Sequence, residues 1–159
     1  MTATAAARQP VVIGVGNEFR RDDGAGPQVV ARLRGRAPEA VELLVSDGEP
    51  TRMIEAWEGA GLAIVVDAVR AEPAVPGRLH RLELDRAGAG PATPVSSHGL
   101  GLDDAIGLAL ALDRMPGRLI VHAVEAGDLG QGTGLTPAVA AVIDTLAAAV
   151  LRDLASLPR

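Results

Sequence analysis

Cysteine, lysine and tyrosine are absent from this chain, and phenylalanine and tryptophan occur once each. Without cysteine there is no disulfide, no thiolate metal site and no thiol nucleophile. Without lysine there is neither a Walker-type phosphate lysine nor a Schiff-base amine; all 15 basic residues are arginine. No apolar run reaches membrane-spanning length. The opening MTATAAARQP lacks the apolar core of a signal peptide. The chain is therefore expected to be soluble and cytoplasmic, without a membrane partner. A net charge of −5 argues against a basic surface for nucleic acid. What remains for chemistry is mostly carboxylate and imidazole.

The 159 residues are 48% apolar, enough for a single domain with a substantial core. Residues 1–10 are expected to be a loose tail. Val11–Val15 is a continuous apolar run between Pro10 and Gly16 and predicts a buried strand. Pro27–Arg34 predicts a helix with Val29, Val30 and Leu33 on one face. Val41–Ser46 predicts a second strand, and Thr51–Glu58 a short helix burying Met53, Ile54 and Trp57. Leu62–Asp67, reading LAIVVD, is the clearest central strand. Gly77–Leu84 alternates leucines with charged residues, as a half-exposed edge strand does. After a Gly/Pro/Ala loop, Leu102–Leu112 predicts a helix and Leu119–Val124 the last strand. Pro137–Leu154 predicts the longest helix, with Thr136 as cap and Pro137 at the first position. This order predicts an α/β fold: a mostly parallel five-stranded sheet with one antiparallel edge strand and helices on both faces. A monomer is expected, since no coiled coil or apolar surface helix stands out.

Ligands of such sheets bind beyond the carboxyl ends of the strands. Asn17, Asp22 and Asp23 follow the first strand, Asp47 the second and Glu125 the last, while Asp67 ends the third. His98, in SSHGLGLDD, leads into the helix before the last strand. Carboxylates about 6 Å apart repel by roughly 3 kcal/mol at an effective dielectric near 20, so such a cluster needs a proton or a cation. Two carboxylates and a neutral imidazole suit a divalent metal with open positions. Alternatives stand beside each residue. Asp23 either caps the helix beginning near Ala25 or faces the rim, and Asp22 is read as a turn or capping residue. Asp47, before Gly48, is a turn residue or a rim residue. Asp67 ends a buried strand, where a carboxylate without a partner is costly. Glu125 faces the rim or solvent. His122 is expected packed and satisfied in its strand, and His80 solvated on the edge strand. Asp103 and Asp104 suit the start of a helix.

Several familiar sites fail. The dinucleotide fingerprint finds Gly14 and Gly16 but Phe19 at its third glycine. There is no Gly-Lys-Ser/Thr loop and no Gly-Xaa-Ser-Xaa-Gly elbow. By contrast GVGNEFRRDDGAG, LAIVVDAV, SSHGLGLDDAI and GLTPAV, in that order over roughly residues 11–151, resemble the hydrogenase maturation proteases. These peptidases trim the C-terminus of the large-subunit precursor of nickel–iron hydrogenases. The resemblance implies a three-layer α/β/α sandwich and metal recognition by Asp23, Asp67 and His98, which would also be the catalytic residues. It implies nickel carried by the precursor, with other divalent cations able to substitute, and the precursor's tail beside Asn17, Asp47 and Gly48. DGEPTR departs from the family's Gly/Thr-rich turn. The rival reading is a nickel-sensing chaperone with the same triad and no cleavage.

Overall fold

A computed structural model of the chain describes residues 8–89 and 101–157. The strands are β1 (Val11–Val15), β2 (Glu42–Ser46), β3 (Leu62–Val69), β4 (Leu79–Asp85) and β5 (Arg118–Glu125). The helices are α1 (Ala25–Leu33), α2 (Pro50–Trp57), α3 (Gly101–Ala111), α4 (Pro137–Ala140) and α5 (Ile143–Ala155), and a 3-10 turn at Arg21–Gly24 leads into α1. One five-stranded sheet has the order β2-β1-β3-β5-β4. Its first four strands are parallel and β4 is an antiparallel edge, as the sequence predicts.

Pleat alternation divides the apolar residues between two layers. Val12, Ile64, Val66, Ile120 and Val124 pack against Val29, Val30 and Leu33 of α1 and Ile143, Leu146 and Val150 of α5. Ile13, Val65, Leu119 and Val121 face the other way, onto Met53, Ile54 and Trp57 of α2 and Leu102, Ala105 and Ala109 of α3. The result is the three-layer α/β/α sandwich. Buried on both faces, β1 reads as an unbroken apolar run and β3 as one broken only by Asp67.

The start of α1 rests directly on strand backbone. A methyl group at Gly26 would stand 2.5 Å from the Val15 carbonyl oxygen and 2.6 Å from that of Val66. One at Gly14 would stand 2.4 Å from the Gly26 carbonyl oxygen. These glycines therefore permit close approach of helix to sheet. Asp22 then fastens the rim. Fully buried, it accepts hydrogen bonds from the backbone N–H of Gly127 (2.7 Å), Asp128 (3.0 Å) and Thr136 (2.7 Å), and from the Thr136 hydroxyl. Burial alone would raise its carboxyl, but these donors outweigh it and hold the group below its ordinary value.

Several expectations are corrected. Helix α1 starts at Ala25 rather than Pro27, and Asp23 makes no capping bond to it. Strand β3 runs on past Asp67 to Val69, because β5 continues to pair with it. The long C-terminal helix breaks between α4 and α5, where the Val142 N–H (φ −108°) donates back to the Val139 carbonyl in a tight turn. Thr136 does not cap α4 with its side chain; its hydroxyl serves Asp22 instead. Arg8, expected in a loose tail, donates to the carbonyls of Ala56 and Glu58 and bridges to Ala60. His80 is not simply solvated: its Nε2 lies 2.7 Å from Glu125 Oε2. Glu125 faces neither open rim nor solvent; 2% exposed, it accepts the Val75 N–H and pairs with Arg78. His122 is packed as expected, its Nε2 2.6 Å from Asp153 Oδ2 on α5.

Gly26→Ala should cost toward the upper end of about 1–3 kcal/mol, read as a fall of several degrees in Tm. Gly107→Ala, where an added methyl meets nothing on an exposed turn of α3, should gain about 0.5–1 kcal/mol; equal effects would contradict the packing account. Asp22→Ala should cost about 3–4 kcal/mol in urea unfolding at neutral pH. Because the carboxyl is held below its ordinary value, its stabilisation is full above that value and is lost as pH falls through the lowered one. Asp22→Asn should therefore show a shallower acid limb than the parent.

Candidate functional site

From β1 the chain crosses to β2 on one side and then to β3 on the other. The topological switch point thus lies between the carboxyl ends of β1 and β3, where doubly wound sheets open a crevice. The β1–β3 ladder ends at Gly14 and Val66, while β3 continues against β5 as far as Val69. Asp67 is the first residue past that fork. Its side chain takes the α2/α3 side, in phase with Ala63 and Val65.

Asp67 is only 2% exposed. Burial, and then the negative charge of Asp23, push its carboxyl up to about 8, against a small downward pull from the Ala68 N–H. At neutral pH this group is mostly protonated. The structure thus brings Asp23 and Asp67 together electrostatically from the ends of two adjacent strands.

Asp23 sits higher and is better solvated, with its side chain 18% exposed. Its Oδ2 accepts the Asn17 N–H at 2.8 Å and lies 3.8 Å from an Arg20 guanidinium nitrogen. Gly16 makes this loop possible. Its φ of +143° suits glycine, and a methyl group there would stand 1.8 Å from the Asp23 carbonyl oxygen. The glycine-rich turn therefore seats a carboxylate rather than cradling an anion.

The other predicted residues are less central. The Asn17 side chain accepts the Phe19 N–H at 2.9 Å, so it shapes the loop that holds Asp23. Asp47 is exposed and grips Arg52 at 2.6 Å while accepting the Glu49 N–H; that arginine, foremost, lowers its carboxyl pKa. Gly48 (φ +86°) donates to Ser46 Oγ at 3.1 Å. Both follow β2, two strands from β3, or about 10 Å at the usual strand spacing. His98 lies outside the described residues. It stands three positions before α3, whose far end approaches the amino ends of the strands, with the Arg114 carbonyl on Trp57 Nε1. The start of α3, about 16 Å away along its axis, accordingly lies toward the carboxyl rim. Among the described residues, no three histidine or acidic side chains come together as a metal site.

Sequence reasoning missed the opposite wall. Arg20 bridges to Gly132, and their segments exchange bonds from the Arg21 N–H to the Gly132 carbonyl and from the Gly132 N–H to the Phe19 carbonyl. A groove of about 290 Å³ beyond β3 and β5 is lined by Arg70, Glu72 and Asp128. The only local hints were the glycines of GDLGQGTG, which name no partner.

Comparison with known proteins agrees with this architecture. The chain is 28% identical over 146 residues to the hydrogenase 2 maturation protease of Escherichia coli K12, covering 91% of this chain and 89% of that one. The solved structure of a hydrogenase maturating endopeptidase from E. coli superposes with a TM-score of 0.76 at 27% identity, over 92% of each chain. A hydrogenase 2 maturation peptidase from a Thaumarchaeota archaeon gives 0.69 at 26% identity, over 92% of this chain and 97% of that one. The sequence profile described as hydrogenase maturation protease matches residues 27–153, and on that match the chain belongs to the hydrogenase maturation protease family.

Proposed function

We propose that this chain removes the C-terminal extension of a nickel–iron hydrogenase large-subunit precursor after nickel insertion, recognising the nickel through Asp23, Asp67 and His98. The observation that carries this reading is the pairing of buried Asp67 with Asp23 at the switch point. Two acids placed together in a nearly dry fork destabilise the fold unless a proton or a cation intervenes, and the proton on Asp67 is one that a cation can replace. The nickel belongs to the client, so it is part of the substrate. Asp23 is already oriented by the Asn17 N–H and meets the ion without rearrangement. Asp67 gives up its proton as the ion arrives. His98 is proposed as the nitrogen ligand on the ground of its place before α3.

With the scissile carbonyl held beside the ion, water is the favoured nucleophile, since the chain has no thiol. Its oxygen adds to the carbonyl carbon, the C–N bond breaks, and the leaving amine takes a proton. An ion held in this way supplies charge stabilisation at the carbonyl or at the attacking water.

Mixing the protein with nickel-loaded precursor and weighing the product should show loss of a short C-terminal peptide. Asp67→Asn and His98→Ala should each slow cleavage at least about a hundredfold. An unchanged precursor mass with the intact protein would refute the protease and leave a nickel-sensing chaperone. Cation binding has a second readout. Because it displaces the proton held on Asp67 up to about pH 8, the affinity for nickel or cadmium should rise roughly tenfold per pH unit below that point and level off above it. A calorimetric titration that is flat from about pH 6 to about pH 8 would contradict the role given to Asp67.

A further inference from the structure

The two edges of the sheet differ in kind. Strand β4 alternates leucine with charge, and its Arg81 and Glu83 are held in ion pairs with Asp153 and Arg118, a common guard against edge pairing. Strand β2 reads ELLVS and, among the described residues, pairs on one side only. The phase of its outer edge is fixed by its bonds to β1. The Glu42 N–H donates to the Pro10 carbonyl, and the Gly16 N–H donates to the Ser46 carbonyl, both at 2.9 Å. Even-numbered residues thus face β1, and Leu43 and Val45 direct their N–H and C=O groups outward.

The edge is flanked by a groove on each face of the sheet. On the α1 side, about 490 Å³ is bordered by Glu18, Phe19, Ala31, Arg34 and Val45; Phe19 is 62% and Val45 53% exposed. On the α2 side, about 520 Å³ is bordered by Arg8, Leu44, Arg52 and Glu55. Successive side chains of a strand point to opposite faces, so a strand added here would place alternate residues in the two grooves. The upper end of β2 is tied to Gly16, next to the Asn17 N–H that holds Asp23. The edge is therefore continuous with the site.

We propose that the free edge of β2 receives the precursor's C-terminal extension as an added strand, a reading that rests on the proteolytic function above. The extension leaves the scissile bond at the rim and runs toward its own C-terminus, whereas β2 runs toward the rim. The added strand is consequently antiparallel. The five residues of β2 offer about 17 Å of edge, and the added strand places apolar residues on the side where Phe19 and Val45 stand exposed. Main-chain bonds to Leu43 and Val45 supply affinity, and the two grooves supply selectivity.

Val45→Pro tests this, because proline is tolerated on an outer edge but removes the donor. The variant should raise KM for nickel-loaded precursor at least tenfold, and the difference from the parent should vanish on a precursor shortened to a few residues past the cleavage point. Phe19→Asp, on an exposed side chain, should do the same and stands in if the proline variant fails to fold. In the Asp67→Asn protein, a synthetic peptide of the extension should slow hydrogen exchange of the Leu43 and Val45 amides at least tenfold. Parent-like KM in the folded variants together with unprotected amides overturns the docking edge while leaving the protease intact. Failure of the parent protein to cleave at all removes both.

Discussion

Everything at the rim depends on how closely the first turn of α1 lies against strand backbone. Gly14 and Gly26 let peptide groups touch where any side chain would hold them apart. That contact fixes the height of the loop between β1 and α1, and the loop carries both acids of the Asp22–Asp23 pair. Ordinary helix-on-sheet packing, spaced by side chains, would lift Asp23 away from the fork. The Gly16 contact with the Asp23 carbonyl completes the same restraint from the strand side.

Neighbouring carboxylates here have opposite fates. Asp22 turns inward, meets a ring of donors and is stabilised as an anion. Asp23 turns to the crevice, keeps partial contact with water and accepts one backbone bond. Its charge is felt by Asp67, where dehydration has already made ionisation costly. The inward acid ties the loop after β5 to the loop after β1, and so secures the outward acid that follows it in the chain. Of two adjacent residues of one type, one secures the fold and the other faces the crevice.

Much of this was legible from sequence. Continuous apolar runs gave β1, β3 and β5, and alternation in Gly77–Leu84 gave the antiparallel edge. An acid at the end of LAIVVD marked Asp67 because no strand interior tolerates one cheaply. What local pattern could not give were partners distant in sequence. Asp22 and Thr136 are 114 residues apart, and nothing beside either names the other. Read alone, His80 looks like a solvated strand residue and Glu125, 45 residues away, like an acid facing the rim or solvent. The break at Val142 likewise carries no proline or glycine to announce it. His98 was reached only through its loop and its order in the chain.

The proton on Asp67 has a further consequence for selectivity among ions. Near neutral pH a carboxyl pushed up to about 8 is mostly protonated, and a cation must displace that proton to bind. A free hydrated ion, with only this fork to hold it, meets that competition unaided. An ion arriving already chelated by a protein brings other bonds to offset it. On the function proposed above, the fork would be biased against stray metal and toward metal that comes mounted on a polypeptide.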